Sequence, residues 1–350
     1  MDRKMNFASD YTKGAHPNII NRLNETNMLA TVGYGADEIC ESARNRIRKA
    51  CGVENAEVEF LVGGTQTNAV MIDALLQSYQ GVIAAETGHI EVHEAGAIEA
   101  SGHKVITLPQ HLGKLLPKDV EKYLEDFFSD ANYEHMVIPG AVYISQPTEY
   151  GTLYSEAELQ SLRNICDTYD LALYVDGARL AYALAADEND VSLQALARLT
   201  DAFYIGGTKC GAMFGEAVVV PNPAKLKHLF TTIKQHGALL AKGRLLGIQF
   251  DELFKDDLYM KIGEPAVVAA NKIRQALDEI GYRQYFTAPT NQIFIIMENS
   301  LLDKLAKEVE YGFWEKYDES HTVIRLATDW GNTKDEVDAL IAVLKAVHNS

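Results

Sequence analysis

Four cysteines in 350 residues are too few and too scattered to build a disulfide framework. Cys40, Cys51, Cys166 and Cys210 form no C-x-x-C pair and no zinc-ligand spacing, so reduced thiols in a cytoplasmic protein are the expectation. Long apolar runs are missing too. No stretch of eighteen apolar residues occurs, and Met1 to Lys13 is polar without an apolar signal core, so neither a membrane span nor an export signal is expected. Positive charge is short: 32 Lys and Arg against 49 Asp and Glu leave a net charge of −17. A surface of that sign repels nucleic acid and anionic lipid, which leaves a small molecule as the expected partner. Any anionic ligand must then be held by donors placed locally. Repeats, low-complexity tracts and proline-rich linkers are absent as well.

What is present points to a large core. With 47% hydrophobic residues, 350 residues is long for one domain. Short apolar runs at 58–62, 82–85, 104–108, 142–145, 171–175, 202–205 and 216–220 read as strands, and 66–79 and 155–169 as helices between them. The second of these helices opens on a capping box, Ser155 with Glu158 three residues on. This alternation predicts a doubly wound, mostly parallel α/β sheet over residues 1–250. A helical stretch at 225–254 leads into a smaller α+β domain over 251–350, on which the N-terminal segment packs. That domain has helices at 265–280, 301–311 and 334–348 and strands at 292–297 and 322–327.

The stretch Ala202-Phe-Tyr-Ile-Gly-Gly-Thr-Lys-Cys-Gly211 delivers Lys209 at the end of a strand. No acid lies within six residues on either side, so nothing nearby in sequence holds it as a surface ion pair. A lysine desolvated in such a place is a nucleophilic amine, although taken alone it also reads as an ordinary loop lysine. A second apolar run, 171–175, stops at Asp176-Gly-Ala-Arg179. Side chains at the carboxyl ends of parallel strands face one crevice, which makes Asp176 and Lys209 neighbours. An acid and an amine held apart in a cleft suit pyridoxal phosphate, whose aldehyde takes the lysine and whose ring nitrogen pairs with the carboxylate.

Further candidates follow. Gly63-Gly64-Thr65 lies between a strand and a helix, where free N–H groups and the helix dipole make either a phosphate cup or merely a tight turn. His89 and His93 stand four apart, but neither H-E-x-x-H nor H-x-x-E-H is present, so no metal is expected. His89 either lies flat on an aromatic cofactor or caps the next helix. Arg325, inside the apolar run 323–327, is either half of a buried ion pair or a fork for a substrate carboxylate.

Asp176-Gly-Ala-Arg179, the Lys209 segment, Gly64-Thr65, His89, Tyr34-Gly35 and Arg325-Leu-Ala-Thr328 together resemble the threonine aldolase group of fold-type I pyridoxal-phosphate enzymes, the β-eliminating lyase family. The likeness runs in order over most of the chain. It implies that Lys209 bonds the cofactor aldehyde, that Asp176 keeps the ring nitrogen protonated and that His89 stacks on the ring and acts as base. Gly64, Thr65 and Thr208, with Arg179 nearby, would hold the cofactor, and Ser9, Arg179 and Arg325 the amino acid carboxylate. A homodimer or homotetramer with shared active sites is implied, Tyr34 coming from a neighbouring chain. Two positions depart from the pattern. Glu149 stands where the family often has a second histidine, and Lys242 and Arg244 replace an arginine near Gly237 that the family sends to the partner's phosphate. The resemblance implies cleavage of threonine, allo-threonine or a phenylserine-like compound to glycine and an aldehyde. β-Elimination, racemisation or transamination on the same scaffold is the alternative, and a cofactor-free binding protein a third reading.

Overall fold

The computed structural model describes residues 4–350, so the first three residues of the polar N-terminal stretch lie outside the description. Seven strands form the main sheet, in the spatial order Glu57–Leu61, Glu216–Val220, Ala202–Gly206, Ala172–Asp176, Ile138–Ser145, Gln80–Ala85, Lys104–Leu108. All neighbours are parallel except Glu216–Val220, which runs antiparallel to both strands beside it. Apolar clusters cover both faces, as a parallel sheet requires. Leu173, Val175, Phe203 and Ile205 point to one side, Tyr143, Tyr174 and Tyr204 to the other.

The period of two in a strand has a direct consequence for Asp176. It lies two residues beyond Tyr174 and so shares its face, while Ser145 stands opposite it in register and Tyr143 opposite Tyr174. The end of the Ala202–Gly206 strand is brought hard against the same point. The Gly206 amide donates to the Gly177 carbonyl at 3.0 Å, and a Cβ on Gly177 would sit 2.0 Å from the Tyr204 carbonyl oxygen. Gly206 is crowded as well, since a Cβ there would sit 2.4 Å from the Ala178 carbonyl oxygen. These glycines serve the approach of one strand end to another.

The expected smaller unit is an antiparallel four-stranded sheet, ordered Gly312–Lys316, His321–Ala327, Gln292–Glu298, Arg283–Phe286, covered by the helices Glu264–Ile280 and Lys334–His348. Its two outer strands are half-exposed and lack the apolar signal of the inner ones, and so escape the sequence pattern. The helix expected at 301–311 stops at Leu305, because Val309–Glu310 pairs in parallel with Met5–Asn6. That pairing lays Phe7 into the core of this unit. The single helical stretch expected at 225–254 is two helices, Leu229–Gln235 and Arg244–Leu253, parted at the left-handed Gly237. The capping box at Ser155 is formed as expected, and among the described residues no helix is long and apolar enough to cross a membrane.

Gly177→Ala should force the two strand ends apart, since a backbone oxygen cannot turn away as a side chain can. A loss of about 3 kcal/mol or more is expected in thermal or urea denaturation. A variant with unchanged stability would contradict the contact.

Candidate active site

Four donors converge on the buried carboxylate of Asp176. The Tyr204 hydroxyl and the Ala178 amide donate to Oδ1 at 2.5 and 2.9 Å, and the Tyr143 hydroxyl and Asn68 amide to Oδ2 at 2.7 and 3.1 Å. Burial alone would raise its pKa, but the charge of His89 and these hydrogen bonds win and hold the carboxyl below the usual carboxylate range. The Tyr143, Tyr174 and Tyr204 phenols are buried and pushed far up, so they remain donors.

Asn68 joins this group to a second one. Its amide also donates to Glu94 Oε1 at 2.7 Å, while its own oxygen accepts from Tyr174 at 3.0 Å. The same Glu94 oxygen lies 2.7 Å from His89 Nδ1. A carboxylate there favours the tautomer with its proton on Nδ1 and leaves Nε2 to accept. The His89 backbone amide donates to Glu149 Oε1 at 3.0 Å, and Ser145 donates to the same oxygen at 2.7 Å. Burial raises the Glu149 pKa.

Lys209 stands on a turn fixed by the Tyr182 hydroxyl, which donates to its carbonyl at 2.5 Å, and by Gly215, whose amide donates to Thr208 Oγ1 at 3.0 Å. Enclosure and the nearby Arg179 charge lower its pKa, although Asp10, Asp176 and Glu216 pull the other way. Gly64 and Thr65 open the helix Gly64–Leu75, whose Gly63 N-cap supplies no side-chain acceptor for the first amides. One cavity has Gly64, Thr65, Thr208 and Lys209 on its walls, together with Asp176, His89, Glu149 and Arg179. It adjoins an outer cleft lined by Lys209, Arg179, Arg325 and the aromatic rings of Tyr150, Phe313 and Trp314.

The two arginines differ. Arg179 makes a forked pair with buried Asp10, from Nε at 2.6 Å and Nη2 at 3.1 Å, and Asn291 adds a donor to Asp10 at 2.9 Å. Arg325 reaches only neutral oxygens, Gln292 Oε1 at 3.3 Å and the Ala8 carbonyl at 3.0 Å, and its buried Nε has no partner. Of the two expectations for Arg325, a structural ion pair is therefore not what the chain forms. Ser9 Oγ, beside Ala8, is likewise buried without a partner.

Three residues lie away from this cavity within one chain. Tyr34 is exposed at a positive φ of 60°, its ring under Lys234 Nζ at 4.6 Å. Arg244 donates to the carbonyls of Leu29 and Asn27, and Lys242 is exposed. Sequence reading missed Asp10, Asn68, Glu94, Tyr143, Tyr204 and Glu216. The three-residue step from Asn68 to Thr65 and the five-residue step from Glu94 to His89 are ordinary helix and turn spacings, and only the fold gives them meaning.

A carboxylate held ionised, an enclosed lysine and a bare helix N-terminus on the walls of one cavity, beneath a doubly wound sheet, define a fold-type I pyridoxal-phosphate enzyme. The residues fit that cofactor, and the unpartnered Ser9 Oγ and Arg325 Nε fit a carboxylate beside it. Residues 6–300 match the β-eliminating lyase family, and the chain belongs to it. The chain is 41% identical to a solved threonine aldolase of Leishmania major, covering 98% of this chain and 99% of that one with a TM-score of 0.95. It is 29% identical over 310 residues to a low-specificity L-threonine aldolase of Pseudomonas aeruginosa, 87% of each chain being covered. An aspartate aminotransferase of Thermus thermophilus, 12% identical with a TM-score of 0.70 over 98% of this chain and 91% of its own, shares the fold alone.

Asp10→Asn would leave the Arg179 guanidinium buried without its counter-charge. A loss of about 3–5 kcal/mol in stability is expected, and equal stability would mean the pair is not formed. Burial raises the Asp10 pKa, but Arg179 and Lys209 overcome it and depress the carboxyl well below its ordinary value. The pair's contribution is therefore full above the unfolded pKa and lost as pH falls below it. The wild type should lose its stability advantage over Asp10→Asn in acid melts.

Proposed function

We propose that this chain is an aldolase that cleaves a β-hydroxy-α-amino acid, such as threonine, allo-threonine or a phenylserine-like compound, to glycine and an aldehyde. The observation that carries this reading is the half-buried, unneutralised Arg325 facing the same cleft as His89, whose Nε2 is left free by the Nδ1 bond to Glu94. The names of the Leishmania and Pseudomonas relatives support it. Bound cofactor supplies an electron sink that weakens the bonds at Cα.

The protein's own groups do the rest. Enclosure and the Arg179 charge lower the Lys209 pKa and so favour its reactive amine form. Asp176 would hold the ring nitrogen of bound cofactor, His89 would lie against its ring, and Gly64, Thr65 and Thr208 would take its phosphate. Arg325 and Ser9 receive the substrate carboxylate, with Arg179 positioned by Asp10. His89 Nε2 takes the β-hydroxyl proton, a service worth about 10²- to 10⁴-fold in rate. Glu149 and the Tyr150 and Trp314 rings border the substrate's side chain.

Beyond one chain, exposed Ile20, Met28, Leu29, Val32, Tyr34 and Phe230 form the face that meets a second copy in a homodimer or homotetramer. Arg244 is engaged with carbonyls, so Lys242 is the cation that reaches the partner's phosphate. The large unit spans residues 1–250 and the small one 251–350, and four buried free thiols suit a cytoplasmic setting.

Purified enzyme given L-threonine should release glycine and acetaldehyde in equal amounts. Ammonia with a keto acid, or a keto acid alone, would favour elimination or transamination and contradict the proposal. Arg325→Ala should raise KM about 10- to 100-fold with a smaller change in kcat, in line with the loss of charge-assisted hydrogen bonds. A normal KM would return Arg325 to a structural role. Glu94→Gln should lower kcat about 10- to 100-fold, because the carboxylate that orients the His89 ring through Nδ1 is lost. An unchanged kcat would remove His89 as the base.

A further inference from the structure

Glu216 is a buried acid on the wall of the cofactor cavity, and nothing in the proposed reaction uses it. It starts the antiparallel strand Glu216–Val220, in register with Leu61 on one side and Gly206 on the other. Leu61 leads into the Gly64–Thr65 turn and Gly206 into Thr208 and Lys209, so the Glu216 carboxyl hangs between the two segments that hold the cofactor. Its Oε2 accepts from the Gly207 amide at 2.9 Å, and the Thr208 hydroxyl also bonds to it.

The basic side chains on these walls are Arg179, His89 and Lys209. Arg179 is paired with Asp10 and His89 with Glu94, so Lys209 is the charge that acts on Glu216. The cofactor's phosphate, held at the Gly64–Thr65 turn, would bring negative charge onto the same walls. An ionised Glu216 would then share an enclosed cavity with a phosphate dianion and ionised Asp176. Like charges in so dry a space cost far more than in water.

We propose that Glu216 is protonated whenever the cofactor is bound, so that cofactor uptake above neutral pH carries one proton into the protein. In the cofactor-free chain, burial pushes this carboxyl up to about 7, against the lowering effects of Thr208, Gly207 and Lys209. It therefore changes charge close to neutrality. The other titratable groups facing it do not: Tyr174, Tyr204 and Tyr259 are pushed far above their ordinary range and Cys210 up to about 12. Asp176 stays ionised beneath its four donors.

The inference rests on the phosphate being held at the Gly64–Thr65 turn. The test uses the full-length protein freed of cofactor and titrated with pyridoxine 5′-phosphate, which carries the ring and phosphate but no aldehyde. Calorimetry at about pH 8.5, in two buffers of different ionisation enthalpy, counts the protons taken up on binding. Wild type should take up close to one proton more than Glu216→Gln. Its dissociation constant should rise with pH by roughly tenfold per unit more steeply than that of the variant. Equal proton counts with parallel pH slopes overturn the proposal alone; failure of the analogue to bind overturns it together with the site on which it rests. Wild type gives a second readout that needs no variant: the infrared band of a protonated carboxylic acid should grow on binding, and an unchanged band would contradict the proposal.

Discussion

The site depends on one buried charge. Asp176 is a carboxylate in a place where burial alone would neutralise it, and it stays ionised because four donors from three strand ends and one helix meet on its two oxygens. The two phenol donors are in reach because Tyr143 and Tyr204 share a face of the sheet with it, and Tyr174 on the same face holds Asn68, a result of strand periodicity and register. The backbone contact between Gly177 and the Tyr204 strand completes the cage. The fold is thus a device for keeping a negative charge where water would otherwise have to be.

The chain's acidity makes the handling of positive charge informative. With 49 acids against 32 basic residues, most cations near an active site will find a partner. Arg179 has found Asp10. Arg325 has not, although it lies between strands, and its orphaned Nε, with the orphaned hydroxyl of Ser9 next in chain to the Ala8 carbonyl it bonds, is the polarity a carboxylate ligand would satisfy. Glu216 is the counterpart on the cofactor's side, an acid enclosed where an anion must sit.

Much of this was legible from the chain alone, because the strong signals are local. Strands such as Lys104–Leu108 and Glu216–Val220, the capping box at Ser155 and the Asp176 and Lys209 strand ends follow from apolar runs and from the residues that stop them. The half-exposed strands Arg283–Phe286 and Gly312–Lys316 did not, since they carry mixed side chains and take their shape from neighbours. Among site residues, Lys209, Asp176, His89, Gly64, Thr65 and Glu149 were named and do share a cavity. Asp10, Asn68 and Glu94 were not, because their partners lie 169, 108 and 5 residues away and no spacing announces such pairs. Arg179, expected at both cofactor and substrate, lines both cavities, and its pairing with Asp10 is a fact of the fold that no local pattern carries.

The account stands on Lys209 being the residue that bonds the cofactor, opposite Asp176. Reducing the purified holoenzyme with borohydride, digesting it and weighing the peptides tests this directly. A pyridoxyl phosphate adduct confined to the peptide carrying Lys209, and absent from Lys209→Ala, is the predicted result. An adduct on another lysine, or none on a protein that does release glycine from threonine, would contradict it.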